Sequence, residues 1–98
     1  MPFSVIFAKR ANQDLQEILD YYNRESPATS QAFLRELIAS IDFVAENPKA
    51  SPIAFAKVRK KVLPKFPFNI YYSVKEKKKE VVVARIWHHK RNPSAIMG

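Results

Sequence analysis

The chain opens on an apolar segment, Pro2 to Phe7, rich in Phe, Val and Ile, a composition that suits an extended strand. From Ala8 the period changes. Ala8, Ala11, Leu15, Ile18 and Tyr22 recur at spacings of three and four, which puts them on one stripe of a helix while Gln13, Asp14, Gln16, Glu17 and Asp20 face elsewhere. The spacing predicts a first helix that ends near Arg24. Ser26-Pro27 then supplies a capping hydroxyl and a proline at the first helical position, where its missing N–H is no loss. A second helix follows. Leu34, Leu37, Ile38, Ile41 and Ala45 form its expected buried stripe, widened by Phe33, Phe43 and Val44, and Asn47-Pro48 stops it.

Residues 48–56 carry two prolines and read as a loop. Three extended segments come next, Lys57 to Leu63, Phe68 to Val74 and Val81 to His88. In the second, Phe68, Ile70, Tyr72 and Val74 alternate with Asn69, Tyr71 and Ser73; in the third, Val82, Ala84 and Ile86 alternate with Val81, Val83, Arg85 and Trp87. Lys75 to Lys79 is short enough to join these two as an antiparallel hairpin, although it lacks the Gly or Asn that tight turns prefer. The order is β-α-α-β-β-β. The fold class is α+β, a single domain over residues 1–98 with a two-helix hairpin packed on a small, mostly antiparallel sheet. Such packing leaves the other sheet face partly open, and function is expected there.

Composition narrows the picture. Hydrophobic residues make up 47% of the chain, among them seven Phe, four Tyr and one Trp, so a core can form without staples, and with no cysteine there is no disulfide or thiolate site. Lys9 and Arg10 follow the first apolar stretch instead of preceding it, the reverse of a secretory signal, and no run approaches the ~18 apolar residues of a membrane span. A cytoplasmic location is expected. The net charge of +8 is unevenly distributed: residues 1–48 hold four basic and seven acidic side chains, whereas residues 49–98 hold thirteen basic side chains against only Glu76 and Glu80. A half-chain this basic attracts polyanions, whether nucleic acid or an acidic protein segment. The Lys75 to Lys79 run reads as a solvated loop.

The residues also exclude chemistry. With Gly98 the only glycine, no glycine-rich phosphate loop can form, and no Ser-His-Asp order or metal-ligand spacing stands out, so neither cofactor nor metal is expected. Arg85, on an otherwise apolar strand, needs a partner or an open face, and the acids of the first helix could provide one. Lys57, Arg59 and Lys61 share one face of their strand, opposite Val58, Lys60 and Val62. They form either a basic stripe for a partner or a charged guard on a sheet edge. His88 and His89 would point to opposite faces if the strand ran through both. Trp87 is expected in the core.

Five sequence pieces then stand in order: A-x-x-D-L-x-x-I-x-x-Y-Y at Ala11 to Tyr22, F-x-x-x-L-x-x-x-I in the second helix, E-N-P at Glu46 to Pro48, F-P-F-N-I-Y-Y at Phe66 to Tyr72, and H-H-K-R-N-P at His88 to Pro93. Together they resemble the ParE branch of the ParE/RelE toxin superfamily over nearly the whole chain. The resemblance implies the β-α-α-β-β-β fold and a cognate antitoxin that wraps a partly disordered segment around the toxin. It further implies one of two activities, inhibition of DNA gyrase by ParE-like proteins or cleavage of mRNA on the ribosome by RelE-like ones. In RelE-like sequences an Arg precedes the aliphatic-aromatic run of the third-strand motif, a second Arg follows the last strand, and a Tyr lies near the C-terminus; here those positions hold Asn69, Arg91 and, approximately, Met97. Asn is no cation and Met transfers no proton, so the resemblance favours the non-enzymatic gyrase inhibitor. If the chain is instead a nuclease, His88, His89 and Arg91 are the catalytic candidates. Arg59, Lys61, Arg85, Lys90 and Arg91 are the candidates for binding target or antitoxin, with Arg59 favoured because ParE-like sequences carry an Arg near the start of this strand. A basic nucleic-acid-binding module without toxicity is a third reading.

Overall fold

A computed structural model describes residues 2–97, with the side chain of Met97 outside the described set. The first strand, β1 (Ser4–Phe7), leads directly into α1 (Lys9–Glu25). Ser26 closes α1, its N–H bonding to the Tyr22 carbonyl, and opens α2 (Pro27–Glu46), where its hydroxyl accepts the Ala28 N–H at 3.2 Å. One serine thus serves two helix ends, with Pro27 at the first helical position as expected. The predicted loop contains a short extra strand, β2 (Ile53–Phe55), before β3 (Val58–Val62), β4 (Phe68–Lys75) and β5 (Glu80–His88). A single 3-10 turn at Glu76–Lys78 joins β4 to β5, and Lys79 supplies the left-handed residue (φ 51°) that no Gly or Asn is there to provide. A short helix, α3 (Ser94–Met97), follows β5.

The five strands form one sheet in the order β1-β5-β4-β3-β2. Only β1 and β5 run parallel; the other pairs are antiparallel, as the sequence predicts for most of the sheet. α1 and α2 cover one face. Ala11 and Ile18 of α1, Phe33, Leu37 and Val44 of α2, and Ile70, Tyr72, Val81, Val83 and Ile86 of the sheet make the buried core between them. Tyr22 meets Phe33, Phe66 and Phe68 with ring centroids 5.5–6.4 Å apart, closing one end of that core with tilted and edge-on aromatic contacts.

Three expectations need correction. In α2 the deeply buried residues are Ser30, Phe33, Leu37, Ser40 and Val44, while Leu34 and Ile38 are exposed, so the stripe lies about one residue round the helix from the predicted one. Ser30 and Ser40 lie on the buried side, where the hydrophobic pattern alone would not place them. In α1 Asp14 is buried, 8% exposed, and not on the outer face. In β5 the register slips by one, for Tyr71 pairs with Arg85 but Tyr72 pairs with Val83, leaving Ala84 as the extra residue of a bulge. The bulge reverses the alternation, so that Val81, Val83 and Ile86 all face the helices while Val82, Arg85 and Trp87 face the open side.

Candidate functional site

The open face is built from cross-strand rows. Lys60, Tyr71 and Arg85 form one row across β3, β4 and β5; Val62, Asn69 and Trp87 form the next. Tyr71, Asn69 and Trp87 are buried on the face opposite α1 and α2, Trp87 retaining 2% of its exposure. Guanidinium groups cover the indole: Arg85 lies 4.6 Å from its ring centroid and Arg91 3.7 Å, both within cation–π range. The indole Nε1–H donates to the Arg91 carbonyl at 3.3 Å, which ties the segment after β5 back onto the strand. Trp87 is buried as the sequence predicts, but on the face opposite the helix-side core.

Arg85 is anchored from the other direction. Its Nε and Nη2 each donate to an oxygen of Asp14 at 2.8 Å, and Asp14 Oδ2 also accepts the Ile86 N–H at 3.0 Å. β1 ends at Phe7, opposite Val83, so β5 has no strand beside it beyond that point, and the α1 carboxylate takes the place of the missing neighbour. The Asp14 hydrogen bond raises the Arg85 pKa above its ordinary value; burial opposes the rise, and the Asp14 and Glu17 charges add to it. Arg85 therefore stays charged, with its charge paired to that of Asp14. The sequence did suggest an acid of the first helix as its partner, and Asp14, three residues after Ala11 and four before Ile18, is the acid in phase with the buried stripe.

The other predicted residues divide between places. Arg59 and Lys61 pair with Tyr72 and Ile70, which puts them on the helix-side face, away from Arg85 and Arg91. Arg59 Nη1 donates to the carbonyls of Lys49 (3.1 Å) and Ser51 (2.8 Å), and Tyr72 Oη donates to that of Pro48 (2.8 Å), so all three bonds pin the segment after α2. Lys61 Nζ sits 5.1 Å from the Phe43 ring centroid. The strand stops at His88, so the two imidazoles do not diverge but stack, their centroids 4.9 Å apart. His88 Nδ1 accepts the Lys90 N–H at 3.1 Å, and His89 Nδ1 contacts the Pro67 carbonyl at 3.0 Å, an approach that requires a proton on that nitrogen. Burial pushes the His88 pKa below its usual value, and the charges of His89, Lys90 and Arg91 push the same way. With Tyr21, Tyr22, Pro67 and Phe68, His88 lines a cleft of about 390 Å³. Lys90 and Arg91 are both exposed. Among the described residues no group of three His, Asp or Glu is placed to hold a metal, and no helix is long and apolar enough to cross a membrane.

A family model for the ParE toxin of the type II toxin-antitoxin system, parDE, matches residues 5–93. Among solved structures, the chain is similar to the chromosomal ParDE toxin–antitoxin system of P. aeruginosa, with a TM-score of 0.75 and 22% identity over 88% of this chain and 95% of that one. It is also similar to the E. coli toxin RelE, a mutant in the free state (TM-score 0.66, 17% identity, 99% of this chain and 92% of that one). The RelBE2 toxin–antitoxin complex of Mycobacterium tuberculosis gives a TM-score of 0.61 at 17% identity, covering 90% of this chain and 99% of that one. At these identities the structural likeness speaks to the fold alone. No curated protein matches in sequence.

Proposed function

The chain belongs to the ParE toxin family of type II toxin–antitoxin systems, and we propose that it acts in the cytoplasm as a non-enzymatic toxin that binds DNA gyrase and is neutralised by a cognate antitoxin. The observation that carries the binding reading over cleavage is the state of the open-face groups. Cleavage of RNA by its own 2′-hydroxyl needs a base for that proton, free cations for the crowded phosphorane and an acid for the leaving oxygen. Asn69 stands buried where RelE-like sequences carry an Arg, and of the two guanidiniums on the Trp87 ring opposite it, Arg85 is already paired with Asp14, which leaves Arg91 alone. What remains is a surface suited to holding an anionic partner.

The antitoxin reading draws support from the charge, thirteen basic side chains in residues 49–98 against two acids, which fits an acidic and apolar segment that orders on contact. A ribosome-dependent mRNA endonuclease is the second reading, favoured by the stacked His88 and His89 and by Arg91 close by. One experiment separates them. Purified protein added to gyrase and supercoiled DNA should trap gyrase on cut DNA, while translation in a cell-free extract continues. Ribosome-dependent cleavage of mRNA in that extract, without trapped gyrase, would put the endonuclease first.

A further inference from the structure

The molecule already contains one indole-stacked guanidinium with its anion in place. Arg85 lies against Trp87 and closes two 2.8 Å bonds on the Asp14 carboxylate. Arg91 stacks on the same indole more closely, at 3.7 Å, yet it is exposed, and among the described residues no carboxylate pairs with it. We infer that Trp87 is a positioning residue, one that presents the Arg91 guanidinium to an aspartate or glutamate side chain of a partner protein. The inference rests on the antitoxin reading and specifies which cation of this chain receives the acidic segment.

Position is what distinguishes Arg91 from the other exposed cations. Trp87 is fixed by its pairing with Asn69 and by near-complete burial, and it holds Arg91 twice, by the ring face under the guanidinium and by the Nε1–H on the backbone carbonyl. An exposed Arg ordinarily gives up rotamer freedom when it pairs; one already stacked has given up much of it. The indole also shields one face of the guanidinium from water while leaving the in-plane N–H donors free to meet both oxygens of a carboxylate. Arg85 and Asp14 show that pairing with a carboxylate, which is why a carboxylate and not a phosphodiester is assigned to Arg91. Lys90 is a point charge that adds to the local field.

The test follows the Arg91 Nε–H signal by NMR in the full chain during titration with an oligoglutamate peptide and, separately, with an oligothymidylate of equal charge. The peptide should move that signal. Trp87→Phe, which removes Nε1–H and part of the stacked surface, and Arg91→Lys, which keeps the charge and loses the fork, should each weaken peptide binding about fivefold. In an Arg91→Ala chain, Trp87→Phe should weaken it no further, because a residue acting through Arg91 has nothing left to act on. Arg91→Lys decides the matter if Trp87→Phe does not fold. Three results overturn the inference: additive losses in the double variant, an Arg91→Lys chain that binds like the parent, or an Arg91 signal that responds to the oligothymidylate and not to the peptide. Because the peptide is not an antitoxin, a chain that co-purifies with no antitoxin would defeat the partner reading alone and leave the assignment of Arg91 to be judged by the titration.

Discussion

Asp14 satisfies three donors with two oxygens, and two of those donors belong to a guanidinium that is itself largely covered. Asp14→Ala would leave the Arg85 charge and the Ile86 N–H without partners, so it should destabilise the chain by roughly 3 kcal/mol, measurable as a lower urea midpoint with an unchanged slope. An equally stable variant would mean that water replaces the carboxylate. His88 gives a second handle. Its pKa is lowered in the folded protein, so the unfolded chain takes up the proton first as the pH falls, and stability present above about pH 6.5 should decline below it until the folded form also titrates. His88→Gln should flatten that decline between pH 7.5 and 5 in the same urea assay. Asp14 shows what the residues disclose and what they conceal. Its phase within the Ala11–Ile18 stripe marks it as inward-facing, but a charge reads as solvated until its partner, 71 positions away in sequence, is known. The stacked histidines and the Trp87–Arg91 contact depend on where β5 ends, which no local pattern records.

Helix boundaries were legible because proline and capping chemistry are local: Ser26-Pro27 and Asn47-Pro48 mark turns whatever lies around them. The buried face of α2 was legible only to within about one residue. Leu, Ile and Phe occupy more than one side of that helix, and hydrophobicity alone could not tell which side meets the sheet; the buried Ser30 and Ser40 look like solvent positions until close packing is seen. Leu37→Ala and Leu34→Ala make the contrast measurable. The first removes a side chain that is 3% exposed and should lower stability by about 2–5 kcal/mol, whereas the second, at 38% exposure, should lower it by less than half as much. Equal losses would favour the sequence-derived stripe over the observed one. The β5 bulge was equally hidden. Alternation puts Ile86 on the wrong face because one added residue, Ala84, shifts every side chain after it, and only the pairing partner on β4 reveals the slip.

Taken whole, the molecule is electrically lopsided, with a helical layer drawn from the acidic half of the sequence laid on a sheet drawn mostly from the basic half. This asymmetry was visible in the sequence, as was the αα hairpin on a sheet, because both follow from order and composition. The location of the basic side chains on each face was not, and Arg59 shows why: a strand's alternation gives two faces without saying which one the helices cover. β1 joins the sheet through β5 alone, Ser4 meeting Glu80 and Phe7 meeting Val83, so the first strand made waits for the last. At ~5–20 residues per second of synthesis, that wait is about 4–15 s. Until β5 emerges, Asp14 has neither Arg85 nor the Ile86 N–H to hold, and Trp87 and Arg91 are not yet made. Ribosome-stalled chains cut short before Glu80 should therefore be digested by protease at α1, while chains stalled with β5 clear of the exit tunnel should resist. The delay has a biological reading: a nascent toxin cannot acquire its finished surface until β5 has left the ribosome, which gives an antitoxin a window in which to arrive.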